Sequence, residues 1–290
     1  MIEPALKDDA LLADIRECRV QRRDWRLWWL GQSGFLIQYH GRHLLIDPYL
    51  SDSLTRKYAA SDKPHERLTC LAIDPARLGF IDVVTSSHNH TDHLDSETLR
   101  PLFAANPHLQ MVCSEANRAV VAERAGIERG KLIGVTEAAA ASAGGFEFIG
   151  IPSAHNAVDR DAAGHPLYMG FVIRFGPWTI YHSGDTLRYQ GLAERLAGYK
   201  VDVALLPING NRPERRVAGN LDGREAAQLA HDIGARLVIP CHYEMFAFNT
   251  AGPEEQGGFV AECAKLHQPC RVLRCGERWT SSEIAGAQGE

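Results

Sequence analysis

The sequence predicts an α/β fold made of two β-sheets packed together, with helices on the outside. Three observations carry this expectation. Residues 27–40 and 44–46 are apolar and partly alternating, and the turn-like string Tyr39-His40-Gly41-Arg42-His43 separates them as in a β-hairpin. From residue 77 onward, short apolar runs alternate with segments of helical period, which is the pattern of strand–helix units rather than of an all-β sandwich. No internal repeat and no Pro/Gly/Ser-rich linker interrupts the 290 residues. A single domain is therefore expected over 25–290, behind an N-terminal helical extension over 1–24 whose apolar stripe is Leu6, Leu11, Leu12 and Ile15.

Taken in order, residues 27–40 read as one strand bent at Gly31 and Gly34, and 44–46 as its hairpin partner, ended by Asp47-Pro48. Residues 51–74 are polar, contain Pro64 and carry few regular signals. They read as a long surface loop, and loops of that length are commonly functional. A buried strand is expected over 77–84, then a helix over 95–105 with Asp95 or Ser96 as cap. Residues 111–112 followed by 114–125 repeat strand and helix. A strand over 146–151 ends at Pro152-Ser153-Ala154-His155, and 168–174 with 178–182 form a hairpin around Gly176-Pro177. A helix over 191–199, a strand over 201–207 and a helix opened by the capping-box spacing of Asp222 and Glu225 follow. The strand 237–240 ends at His242. A helix over 259–266, a strand over 271–274 and a fraying Gly- and Ala-rich tail complete the chain.

Composition narrows the function classes. A formal charge of −5 argues against a nucleic-acid partner, which favours a basic excess. No apolar run is long enough for a membrane span. The charged first 24 residues lack the apolar centre of a secretory signal. The seven cysteines have no paired metal spacing and read as free thiols, in keeping with a reducing cytoplasm.

The chemistry is concentrated in His88-Asn89-His90-Thr91-Asp92-His93. Four metal-ligand side chains lie within six residues, directly after an apolar run. If the chain is still extended there, His88 and His90 project to the same side, while Asp92 and His93 follow where it turns toward a helix. A histidine-rich surface turn accounts for one or two such residues, not for four. Imidazole and carboxylate together suit zinc, manganese or iron and exclude a thiolate-rich structural site. His155, Asp185 and His242 each follow the end of an expected strand, where loops of layered α/β folds converge. Alone, each has an ordinary alternative as a hydrogen-bonded histidine or a turn aspartate. Together with the first cluster they supply enough donors for two ions.

This set resembles the metallo-β-lactamase superfamily, whose His-x-His-x-Asp-His signature stands here at residues 88–93; the resemblance spans Trp29 to about Arg274. It implies an αββα sandwich with the site on one edge. It assigns His88, His90 and His155 to one divalent ion and Asp92, His93 and His242 to a second, with Asp185 bridging. Asp47 matches an aspartate that supports the ligands from behind. The strings Leu206-Pro207-Ile208-Asn209-Gly210, Gly219-Asn220-Leu221-Asp222 and 239–246 are similar to the L-ascorbate-6-phosphate lactonase branch. Glu244 stands where that branch usually carries Asp, in the same supporting position.

The resemblance implies a metal-dependent hydrolase with two divalent ions, zinc or manganese first and iron also accommodated. A hydroxide generated between them, oriented by Asp92, would open a phosphorylated sugar lactone or related cyclic ester. No Gly-x-Ser-x-Gly elbow suggests a serine nucleophile. The expected partner is a small anionic substrate. Arg212, ahead of a helix N-terminus, is the expected anion contact, with Asn209 and Tyr243 beside it; packing is an alternative role for Tyr243. Phosphodiester hydrolysis of a phospholipase-D-like kind is the second enzymatic reading, because Ser86-Ser87-His88-Asn89-His90 also resembles that group. An inactive metal-binding scaffold is the non-enzymatic one, although such a protein ordinarily lacks a ligand and none is missing here. The reading is compatible with a homo-oligomer.

Overall fold

The computed structural model describes residues 1–18, 24–137 and 139–284; the tail expected to fray lies outside the described residues. Helix α1 (Asp8–Cys18) precedes six strands of the first sheet: β1 (Arg26–Gly31), β2 (Gly34–Tyr39), β3 (Arg42–Ile46), β4 (Val83–Ser86), β5 (Gln110–Ser114) and β6 (Leu132–Val135). Between them lie α2 (Ser53–Lys57), α3 (Ser96–Ala105) and α4 (Arg118–Ala125). The second sheet contains β7 (Ala141–Ala143), β8 (Phe146–Pro152), β9 (Met169–Phe175), β10 (Trp178–His182), β11 (Val203–Pro207) and β12 (Leu237–Cys241), with α5 (Leu192–Leu196), α6 (Gly223–Asp232) and α7 (Pro253–Lys265). A last strand, β13 (Arg278–Thr280), returns to the first sheet and pairs antiparallel with β1.

The first sheet has the order β13-β1-β2-β3-β4-β5-β6 and the second β12-β11-β10-β9-β8-β7. Both are mixed: β3 to β6 run parallel, as do β10 to β12, while the hairpin strands are antiparallel. One continuous apolar core joins the two sheets. Phe35 of β2 meets His182 of β10, and Tyr39 meets Phe175 of β9. Helix α4 covers β5 and β6, and α6 covers β11 and β12 with α7 beside it, which completes the αββα layering. Leu11, Leu12 and Ile15 of α1 are buried in this same core, so the N-terminal helix packs on the sandwich.

Local chemistry sets several boundaries. Asp95 caps α3 by accepting from the backbone N–H of Glu97 and Thr98. Asp222 and Glu225 form the reciprocal capping box that opens α6. The segment expected as one bent strand over 27–40 is instead two antiparallel strands. Gly31 at φ +95° and Gln32 at φ +49° reverse the chain where only a bend was expected. The strand expected over 77–84 shortens to β4, because a 3₁₀ turn at Pro75–Arg77 begins this stretch. No strand forms at 271–274: Leu273 is held through its backbone by the Tyr243 hydroxyl, and the sheet position belongs to the Trp279 segment. Loop 51–74 is not wholly irregular, since it carries α2, and Cys70, Ala72 and Ile73 are buried. Among the described residues no helix is long and apolar enough to cross a membrane, and the cysteines are free.

Candidate metal centre

Asp47 follows β3, His88 follows β4, His155 follows β8, Asp185 follows β10 and His242 follows β12. Strand directions bring these C-terminal ends to one edge of the sandwich. There, His88, His90 and His155 form one group of converging donor atoms, and Asp92, His93, Asp185 and His242 a second, with the atoms of each group within 4.8 Å of one another. Asp185 lies between the groups. Its Oδ1 is 3.2 Å from His93 Nε2 and 3.3 Å from His242 Nε2, while its Oδ2 is 3.5 Å from His155 Nε2. Asp92 Oδ2 closes the second group at 3.5 Å from His242 Nε2.

Several of these side chains are aimed from outside the cluster. Asp47 accepts from His93 Nδ1 at 2.8 Å, from Thr85 Oγ1 at 2.7 Å, and from the Ser87 backbone and hydroxyl. With Nδ1 donating to Asp47, Nε2 of His93 is left to face Asp185. His155 is fixed the same way, its Nδ1 lying 2.8 Å from the Gly219 carbonyl. Gln32, a residue the sequence did not single out, donates to Asp92 Oδ2 at 2.9 Å and lies 3.2 Å from the His242 ring nitrogens. Its own carbonyl accepts from the His242 backbone N–H. A lone glutamine in a turn has no spacing signature by which a sequence could reveal it.

Electrostatics separates the side chains. Burial raises the Asp185 carboxyl, but His242 and His93 outweigh it and hold the group well below its usual range. Burial also lowers His93, yet Asp185 and Asp92 hold it well above the ordinary imidazole value. His88 is driven well below that value by burial and by neighbouring His93 and His90. Asp47 stays below its usual value, because hydrogen bonding from His93 and the charge of His182 overcome burial.

The donor set tests whether ions fit. His88 Nε2, His93 Nε2 and Asp185 Oδ1 are buried without hydrogen-bond partners among the described residues. Buried orphan atoms of this kind are costly in an apolar interior, and they converge where a cation would satisfy them. All seven donors are nitrogen or oxygen, the set that suits zinc, manganese or iron. The residues fit a divalent metal centre.

Four other expected site residues lie elsewhere. Arg212 pairs with Glu255 and lines a separate surface cavity near the N-termini of α6 and α7. Asn209 is buried, with its amide bonded to Asn249 and Asn220. The Tyr243 hydroxyl is engaged with the Leu273 backbone, and its ring stacks on Trp29 at 4.2 Å, so packing is its role. The Glu244 carboxylate makes no hydrogen bond to a cluster residue among the described residues; positive φ at this position turns the chain away behind His242. Position beside a strand end does not fix where a side chain points.

The family model for the beta-lactamase superfamily domain matches residues 26–242. A UPF0173 metal-dependent hydrolase of Caldivirga maquilingensis is 30% identical over 253 residues, which is 87% of this chain and 96% of that protein. Among solved structures, the metallo hydrolase Igni18 of Ignicoccus hospitalis has a TM-score of 0.62 at 23% identity, covering 89% of this chain and 98% of its own. An isothiocyanate hydrolase from Delia radicum gut bacteria has a TM-score of 0.68 at 19% identity, covering 88% and 98%. Both solved structures share the fold. The chain belongs to the beta-lactamase superfamily, within the UPF0173 metal-dependent hydrolase family.

Proposed function

We propose that the protein hydrolyses an ester-type bond, opening a sugar lactone or related cyclic ester at a centre of two divalent ions, zinc or manganese. The observation that carries this reading is Asp185, whose two carboxylate oxygens face the two histidine groups from opposite sides. Such ions, when bound, acidify water to a pKa of about 7 and polarise a scissile carbonyl. His88, His90 and His155 would hold one ion, and Asp92, His93 and His242 the other. The chain's part is positioning. Gln32 restrains Asp92 from one side, leaving its second oxygen to orient attacking water. Asp47 and the Gly219 carbonyl keep His93 and His155 in the tautomer that presents Nε2.

A cavity of about 480 Å³ opens directly on His90, Asp92, His155 and Asp185, a size suited to a small metabolite. Leu54, Tyr58 and Phe246 give it an apolar side that excludes water around a bound ring. The lactone assignment is supported by the strings at 206–210, 219–222 and 239–246.

The test strips the purified protein with a chelator, reloads it with zinc or manganese, and assays D-glucono-δ-lactone against bis(p-nitrophenyl) phosphate. Ion-dependent lactone opening that dominates over diester cleavage is expected. Full activity in the stripped protein, or cleavage of the diester alone, contradicts the proposal. His90→Ala should remove several kcal/mol of transition-state stabilisation.

A further inference from the structure

Loop 51–74 forms one wall of the cavity over the metal-binding side chains, through Leu54, Lys57, Tyr58, Lys63 and His65. The charges along this cavity are unevenly distributed. Among the described residues its only carboxylates are Asp92 and Asp185, both within the metal-binding groups, whereas Lys57, Lys63 and Arg124 are cationic. Several cations near this edge are paired with carboxylates, Arg56 with Glu97, Arg212 with Glu255 and Arg216 with Asp62, while Arg215 is held by the carbonyl oxygens of Asn209, Asn249 and Thr250. The three lining the cavity form no ion pair with a carboxylate among the described residues. Arg124 is structurally engaged, donating to the carbonyls of Asn89 and Leu94 and so shaping the histidine loop. Lys57 Nζ lies 3.4 Å from Thr91 Oγ1 and over the Tyr58 ring at 5.1 Å from its centroid, and Lys63 Nζ donates to the Arg216 carbonyl at 2.5 Å. An ammonium has three donors, so each lysine keeps N–H groups for an incoming partner.

Resting on the hydrolase reading above, we propose that Lys57 and Lys63 hold an anionic group of the substrate, a phosphate or carboxylate, against loop 51–74 while the bond to be cut lies over the ion cluster. Two unpaired ammonium groups in a cleft concentrate positive potential there, which attracts and orients an anion. Leu54, Tyr58 and Phe246 line the same cavity and would contact the uncharged ring between the two ends. This moves the anion contact from Arg212, which is paired with Glu255, to a loop that reaches the centre.

The test uses the metal-loaded protein and two substrate pairs whose second member carries one added anionic group: D-glucono-δ-lactone with its 6-phosphate, and γ-butyrolactone with its γ-carboxylate. In the wild type, kcat/KM favours the anionic member of at least one pair, and the pair with the larger preference identifies the group. Lys57→Met and Lys63→Met each reduce that preference ~10-fold, the size of one lost charge-assisted bond. An unchanged ratio in both variants overturns the proposal, including the case in which both substrates slow equally because a lysine acts on the reacting carbonyl. Should the wild type open no lactone, the hydrolase reading fails and binding decides the anion site by itself. Acetic anhydride labelling with and without inorganic phosphate then reads lysine shielding by mass spectrometry. Protection of Lys57 and Lys63 relative to Lys200 supports the site; equal labelling of all three overturns it.

Discussion

His93 Nε2 points at Asp185 because Asp47 holds the opposite side of the ring at 2.8 Å. Asp47 is itself fixed by Thr85 and Ser87, so one buried carboxylate positions a metal-binding side chain without entering the cluster. Asp47→Ala should weaken metal affinity ~10–100-fold, the range for lost outer partners of ligating histidines. Competition with a coloured chelator measures this, and unaltered affinity would contradict the positioning role. His93 also fixes a pH dependence. Its raised pKa means that the metal-free ring keeps its proton to higher pH than an ordinary imidazole, and that proton must leave before Nε2 can bind a cation. Metal affinity should therefore still rise with pH above the ordinary imidazole range, with proton release visible by titration calorimetry in buffers of different ionisation enthalpy. The clustered residues were legible in the sequence because four ligand types crowd into residues 88–93 and three more follow expected strand ends, although each of those three alone has an ordinary alternative. Gln32 was not, since nothing local marks a turn glutamine that reaches Asp92 across sixty residues of chain. Arg212 and Asn209 are drawn away from the cluster by Glu255 and Asn249, partners from distant segments that no local pattern reveals.

The elements matter through where they end. Strands β3, β4, β8, β10 and β12 deliver Asp47, His88, His155, Asp185 and His242 to one edge, and the loops there must approach closely. Gly184 is one tight point beside the site: it has φ +58°, and an added Cβ would lie 2.7 Å from Ser87 Cβ, next to His88. Gly184→Ala should cost about 1–3 kcal/mol from overpacking and backbone strain. That cost lowers the melting temperature by several degrees; an unchanged melting curve would show that the loop absorbs the methyl. Capped helices and the β9–β10 hairpin were readable because their signals are local. The split of 27–40 depended on positive φ at Gln32, a residue type that gives no warning of it. Strands β6 and β7 escaped notice because Leu132-Ile133-Gly134-Val135 and Ala141-Ser142-Ala143 are short and weakly patterned; pairing to neighbouring strands makes them strands.

For the whole molecule, the buried orphan atoms at the sheet edge imply that ions and fold are linked. Ions that bind the folded chain alone stabilise it by about 2.7 kcal/mol per site at a free concentration one hundred times Kd. Chelator treatment should therefore lower the melting temperature, and restoring zinc or manganese should recover it. The layered architecture was legible as a whole because alternation of strand and helix is a global pattern. Which face of each loop turned inward was settled by packing between distant segments. In the proposed function one carboxylate, Asp185, joins two ion sites. Elemental analysis of metal-reconstituted, desalted protein tests it most directly: two ions per chain are expected in the wild type and fewer than two in a folded Asp185→Asn variant. One ion or none per wild-type chain, with hydrolysis intact, would contradict it.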